Sequence, residues 1–447
     1  MPTNNAQLPS QRGAWMRLAL VALVAFSAGV FFVRGPLHGI QHAADYMLIY
    51  SPARAWITGA NPYDIQQVDQ AWIDAGGLYE QRPSVRVTAG LLYPPSTPAA
   101  LAPFAVFPWP LARTVWAIAN TLFVVLAIWG IARLAGFGLH QRRMWLFVSA
   151  ALLFTPVHTA IRHGQTPLYV LAPLALAAVL LCPLARGTLL ALATLIKPHL
   201  GLPFLAYAFV NREWRSLMTA AIACAVITVI AIVPMTMRDV PWLESWIHNL
   251  EAFSSAGEGD PTRANPIRHQ LVNLHYPLHT FIDNRTLVQG IVLGALGMIA
   301  AAFFFWPSLR RPPVLLSLSM ISVLSLMVAY HRFYDAVFLI FPIAWAISRL
   351  AANPRHRVAW YVSALTIPYF LNIATMLFVA EQNQWLPNTL TDSWVWEMLI
   401  MPVQAWALLG MACCLLAARF SPDIEVDSLN RCSAASNRCR PPQPAHE

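Results

Sequence analysis

Apolar residues along this chain neither alternate nor recur at every third and fourth place. They run together, at about 14–33, 91–107, 111–133, 141–157, 167–183, 187–208, 215–236, 286–306, 312–330, 335–350, 357–379 and 395–420. Runs of about 17–25 apolar residues are what a helix needs to cross ~30 Å of hydrocarbon. The pattern therefore predicts an all-α polytopic integral membrane protein with about 11–13 membrane segments. No soluble domain of ordinary size fits between the runs. The first run carries Arg12 and Arg17 at its start and no clear small-residue cleavage site after it. It reads as an uncleaved helix, not as a removed leader.

Arginine placement orients the segments, because basic residues accumulate in cytoplasmic loops. Arg12, Arg17, Arg212, Arg215, Arg310, Arg311, Arg349, Arg355, Arg357 and Arg419 fall between runs in a way that puts them inside. A cytoplasmic N-terminus (1–13), a membrane domain (14–420) and a polar, disordered tail (421–447) follow. Long outer connections are expected at about 34–90 and 237–285, a shorter one at about 380–394, and the turn His331–Asp335 on the same face. Arg133, Arg142 and Arg143 fit only if the proline-rich stretch 91–110 dips in and returns. Lys197-Pro198 breaks 187–208 and makes a second candidate for such a hairpin. In the first long connection Ser51-Pro52 reads as helix start and Gly59 as stop, with Ala53, Trp56 and Ile57 on one face. In the second, Trp242, Leu243, Trp246, Leu250 and Phe253 recur at helical spacing. Both suit amphipathic helices at the membrane interface, as anchors or as walls of a lipid-substrate cleft.

Composition sharpens this picture. Over 447 residues the mean hydropathy is +0.53, and only 11% of residues are charged, against about 25% in soluble domains. The net charge of +9 resides in short loops. Without a basic patch interleaved with aromatics, it implies no nucleic-acid partner. Of six cysteines, Cys182, Cys224, Cys413 and Cys414 lie in apolar runs, and Cys432 and Cys439 in the tail. This is no disulfide framework.

Candidate chemistry concentrates at a few polar residues in apolar surroundings. Of 29 basic residues Lys197 alone is lysine, and it interrupts an apolar run beside Pro198. A charge there costs about 2.5 kcal/mol or more. It is either a point-charge contact to phosphate or a lysine snorkelling to the interface. Asp45, a dozen residues past the first run, is either a general base with a raised pKa or a helix N-cap. Asp64, Asp69, Asp74 and Glu80 lie further from the run and read as solvated. His331-Arg332-Phe333-Tyr334-Asp335 is a polar turn between two runs. Arg332 and His331 could meet a phosphate and its leaving oxygen, or Arg332 could simply pair with Asp335. Arg162-His163-Gly164-Gln165 is polar where a plain turn would suffice. Neither a phosphate loop, a dinucleotide turn, an HExxH motif nor a CxxC pair occurs, so an activated donor would have to arrive as a lipid.

The order Asp45-Tyr46, Gly59-Ala60-Asn61-Pro62-Tyr63-Asp64, Tyr93-Pro94-Pro95, His163-Gly164-Gln165, Lys197-Pro198 and Tyr330-His331-Arg332-Phe333-Tyr334-Asp335 resembles glycosyltransferase family 87. These are polyprenol-phosphate-mannose-dependent mannosyltransferases of the GT-C superfamily. The resemblance, over roughly 15–420, implies a GT-C-type helical membrane fold with an outward-facing active site in the inner (cytoplasmic) membrane. It puts the acidic base at Asp45 and the donor-phosphate contacts at Lys197, Arg332 and His331. Asn61, Tyr63, Tyr93, His163, Gln165 and His199 make up the substrate-binding set. No metal and no cofactor are expected. The family's Asn-Gln-Ser-like element in the second connection is replaced here by Arg268-His269-Gln270-Leu271, which leaves the acceptor open.

The expected reaction is transfer of a hexosyl unit, mannose by resemblance, from a polyprenyl-phosphate sugar to a lipid or glycan acceptor, with inversion. A transporter or lipid translocator is the alternative, since broken helices and intramembrane charge occur there too. A non-catalytic assembly factor is the third.

Overall fold

The structure, a computed structural model, describes residues 11–78, 91–256, 259–262, 265, 267–306 and 311–421. Within these the chain is helical, and the one extended pairing is an isolated antiparallel bridge between Leu271 and Arg332. Five helices are long and apolar enough to cross a membrane: Ala14–Gln41, Trp109–Leu134, Trp214–Thr236, Arg285–Phe305 and Phe333–Ala352. Two more spans arise if each bent pair counts as one: Arg142–Leu153 with Thr155–His163, bent by 45°, and Arg357–Phe370 with Ile373–Gln382, bent by 41°. The remaining apolar runs form the helices Pro167–Val179, Pro183–Ile196, Pro198–Val210, Val314–Val328 and Val403–Arg419. A 13-residue helix rises only about 20 Å. The expected 11–13 segments thus divide into full-length spans and shorter, more deeply packed helices that run composition alone could not tell apart. The predicted tail, apart from Ser421, and Glu80 lie outside the described residues.

Proline explains the breaks. Lys197 leaves helical geometry (φ −148°, ψ 87°) between Pro183–Ile196 and Pro198–Val210, because Pro198 has no backbone donor to continue the first helix. The chain doubles back there: a Cβ on Gly201 would stand 2.6 Å from the Cα of Thr194. The stretch 91–110 yields only Ser96–Ala105, too short to cross, in keeping with a piece that dips in and returns. Thr97 donates to the carbonyl of Leu195 at 2.8 Å, so the two broken segments brace each other just before Lys197.

The helix of the first long connection departs from expectation. It runs Met47–Thr58 with Pro52 in its interior; Ser51 is no N-cap. A 3-10 turn, Ala44–Tyr46, leads directly into it and starts it earlier. Gly59 does end it, at φ 87°. Met47, Ile49, Tyr50 and Ala53 are buried, so this helix belongs to the core and does not lie on a membrane surface. The second connection's helix, Trp242–Ala256, is two-sided. Leu243, Ile247 and Leu250 are exposed, while Trp246 and Asn249 clamp the first connection through the carbonyls of Leu92 (3.0 Å) and Tyr63 (2.9 Å). Val272 N in the same connection donates to the carbonyl of His331 at 3.1 Å, so both long connections and the turn at 331–335 are joined.

Candidate active site

Asp45 is placed by an unusual backbone. Ala43, 1% exposed, adopts φ 28°, a strained conformation for a residue with a side chain, costing about 1–3 kcal/mol. Its burial against the core holds it there. Tyr46 then stacks on Trp116, which stacks on Tyr169, with ring centroids 4.4 and 4.2 Å apart. The indole of Trp116 donates to the carbonyl of Gly164 at 3.0 Å. Gly164 closes the helix Thr155–His163 at φ 76°, and a Cβ there would sit 2.5 Å from the Cβ of Tyr46. Only glycine combines that φ with that approach. The stack thus brings the 163–165 turn onto the Asp45 turn. Gln165 Nε2 donates to Asp45 Oδ2 at 2.8 Å, and His163 Nδ1 lies 3.9 Å from the same oxygen. Gly164→Ala should separate the two turns. We expect at least a tenfold loss of turnover, by the usual penalty for misplacing a reacting group, checked by initial rates at matched protein levels.

The second half of the site surrounds Lys197. Its ammonium, 3% exposed, donates to Asp335 Oδ1 at 2.5 Å and lies 5.2 Å from the centre of the Tyr334 ring. Asp335 Oδ2 is 3.1 Å from His331 Nδ1. A carboxylate can only accept, so Nδ1 carries a proton and donates it to this oxygen. His199 packs on His331, with ring centroids 4.8 Å apart. This overturns two of the bland alternatives at once. Lys197 does not snorkel, and the carboxylate of Asp335 goes to Lys197 and His331, not to Arg332. It also gives one of the three ammonium donors of Lys197 a standing partner.

Arg332 joins the halves. Its side chain lies over the Tyr330 ring and donates to the Tyr330 hydroxyl. Burial works against its charge, but Tyr334, Tyr330 and the Asp45 carboxylate more than offset this and keep it protonated beyond the ordinary arginine range. Asp45 and Arg332 are therefore electrostatic neighbours across one centre. Three polar atoms facing this region have no partner among the described residues: His331 Nε2, His199 Nε2 and Gln165 Oε1. Buried polar atoms are nearly always satisfied, so these are places for water or substrate.

The loop motif goes elsewhere. Asn61 spends its side chain on the backbone of Tyr63 (3.0 Å) and on Ser245 Oγ (3.0 Å); the Tyr63 hydroxyl donates to the carbonyl of Tyr93 at 3.0 Å. The bond to Ser245 ties the two long connections together, and the other two fix the first connection on itself and on Tyr93. Asn61, Tyr63 and the Tyr93 backbone thus act as braces. A groove of about 1320 Å³ borders this knot, lined by Tyr63, Asp64, Trp242, Glu244 and His248 among others. It includes none of Asp45, Lys197 or Arg332. The polar centre and this groove are thus separate features of the structure.

Could the centre hold a metal? One ligand atom each from His199, His331 and Asp335 falls within 4.8 Å of the others. Lys197, 2.5 Å from the same carboxylate, already neutralises it and would repel an incoming cation. Turnover should persist in EDTA; a loss restored by added divalent ion would reassign the cluster.

The sequence model of glycosyltransferase family 87 matches residues 91–329, just over half the chain. The chain belongs to glycosyltransferase family 87. The matched stretch holds Tyr93, His163, Gln165, Lys197 and His199, and it ends two residues before His331; Asp45 precedes it. No curated protein and no solved structure matches the chain. Membership makes this multi-helix membrane protein a glycosyltransferase.

Proposed function

We propose that this enzyme transfers a hexosyl unit, mannose being the family expectation, from a polyprenyl-phosphate sugar to a lipid or glycan acceptor, with inversion, at the outward face of the inner membrane. The reading is supported by an oriented carboxylate, Asp45, whose charge acts on the partly buried guanidinium of Arg332, with the helix Thr155–His163 packed on the segment Phe333–Leu339 that follows Arg332. Gln165 fixes one Asp45 oxygen. The other takes the proton of the acceptor hydroxyl as that oxygen attacks the anomeric carbon. The bond from that carbon to the phosphate oxygen breaks, and its electron pair leaves with the polyprenyl monophosphate. Arg332 meets the charge developing on that phosphate, in a bidentate fork suited to it. The free Nε2 atoms of His199 and His331 offer further contacts to substrate oxygens.

In this arrangement Lys197 stands behind the reaction. Through Asp335 it fixes the turn that carries His331 and Arg332, and the direct phosphate contact falls to Arg332. A sugar already joined to a lipid phosphate suits the absence of any nucleotide-cradling loop in the sequence and the placement of the centre among apolar helices.

The test is incubation of purified protein with radiolabelled polyprenyl-phosphate sugars, or with labelled nucleotide sugars, and a membrane lipid extract. Label should move to a new product from the polyprenyl phosphates alone. Transfer from nucleotide sugars would refute the donor class. Passage of intact donor across a vesicle wall without bond cleavage would favour translocation instead.

A further inference from the structure

We infer that the ion pair between Arg268 and Glu397 is a positioning device for Arg332, which makes the second long connection a working part of the reaction centre. The inference rests on the reading of Arg332 as the contact to the departing phosphate.

The argument begins with the backbone of Arg332. It is extended (φ −96°, ψ 165°), and Leu271 pairs with it in the isolated bridge. The neighbouring residues extend the seam. Val272 N donates to the carbonyl of His331 at 3.1 Å, and Asn273 Nδ2 to that of Ala329 at 3.0 Å. In extended chain successive side chains point to opposite sides. The pairing therefore sends His331 inward to Asp335 and Arg332 the other way, toward Tyr330 and Asp45. Without the seam, nothing in the local sequence dictates that alternation.

A single bridge is a weak fastening, and what holds Leu271 in place lies just upstream. Arg268 opens the turn Arg268–Gln270. Its Nη2 is 2.5 Å from one oxygen of Glu397 and 2.6 Å from the other. Both side chains are largely buried, 16% and 5% exposed. Glu397 sits in a π-helical turn, Trp396–Ile400. Such turns re-aim side chains and recur at functional sites. Around the pair, Leu271, Tyr276, Trp396 and Met401 form a small apolar cluster separate from the main core, and the Arg268 guanidinium lies over the Tyr276 ring. The second connection is thus bolted to the last helices of the chain, and the bolt lies three residues from the bridge to Arg332. Arg268 is also where this sequence departs from the expected family element, so the device belongs to this chain's own residues.

A residue that acts through Arg332 should lose its effect once Arg332 is gone. Glu397→Gln, Arg332→Gln and the double variant are compared in purified full-length protein, with the exchange Arg268→Glu/Glu397→Arg as a fourth. Arg332→Gln should lower kcat by about 10²–10³-fold, and Glu397→Gln by about 10²-fold at little change in acceptor KM. In the Arg332→Gln background Glu397→Gln should add less than about twofold, because sites acting as a unit are not additive. The charge exchange should recover part of the lost kcat. Should Glu397→Gln fail to purify as a folded protein, Arg268→Lys, which keeps the charge and loses the planar guanidinium over Tyr276, carries the same cycle. Independent, multiplying losses, or a Glu397→Gln enzyme with normal kcat beside an inactive Arg332→Gln, would overturn the positioning role alone. Normal turnover in Arg332→Gln would instead overturn the phosphate reading, and the positioning role with it.

Discussion

Asp45→Asn protein should fold, insert and purify like the parent, yet transfer sugar about 10²–10⁴-fold more slowly, the range removed with a general base. The substitution is nearly isosteric. An amide oxygen can still accept the 2.8 Å hydrogen bond from Gln165, so the turn built on Ala43, Tyr46 and Gly164 has no reason to move. What disappears is the capacity to take a proton. Because Asp45 is placed mainly by the backbone at Ala43 and by an aromatic stack, its loss should register chiefly in kcat and little in thermal stability. Initial rates and unfolding curves on one preparation check both. Turnover within a few-fold of the parent would remove Asp45 from the chemistry, and a collapse of stability would make it structural.

Lys197→Met should have the largest effect on the fold. Lys197 and Asp335 leave only 4% and 3% of their side-chain surfaces exposed, so solvent screens the pair little. Removing the ammonium strands a buried carboxylate, a loss of about 3–5 kcal/mol in comparable pairs. Neutralising the other partner as well, in Lys197→Met/Asp335→Asn, should recover most of it, since replacing both members of a buried pair is often close to neutral. The amide oxygen introduced by Asp335→Asn can still accept from His331 Nδ1 and hold the turn. Thermal unfolding in detergent measures the stability and initial rates the turnover, which the double variant should partly regain. A single variant as stable as the parent would deny the pair its structural weight. A stable but inactive double variant would return Lys197 to the donor phosphate.

Much of this was legible in the sequence. Long apolar runs announced the membrane bundle, and six short motifs in order announced the family. Asp45, His163, Gln165, Lys197, His199, His331 and Arg332 do converge on one centre. Pairing was the part that stayed hidden. A lone lysine in an apolar run needs a counter-charge, and Asp335 stood in the adjoining polar turn, but the nearer Arg332 offered it a local partner. The pattern could not show that the turn is extended at Arg332 and sends the two side chains apart. Arg268 and Glu397 are 129 residues apart, a separation no local periodicity registers. Asn61 and Tyr63 carry a bracing role that their motif did not show. A motif marks where residues matter, not what they touch, and here one bond of Asn61 joins the two connections while the others fix the first on itself and on Tyr93. Ser51-Pro52 looked like a helix start because proline is at home there, whereas the 3-10 turn after Asp45 had already begun the helix.

The anomeric configuration of the product tests the account most directly. Purified enzyme would be supplied with a synthetic polyprenyl phosphate β-mannoside and its acceptor, and the new glycosidic linkage read by NMR. Direct displacement by a hydroxyl that Asp45 deprotonates predicts an α-linkage. A β-linked product would require two displacements and a sugar held on the enzyme between them, which one oriented carboxylate facing one guanidinium does not provide.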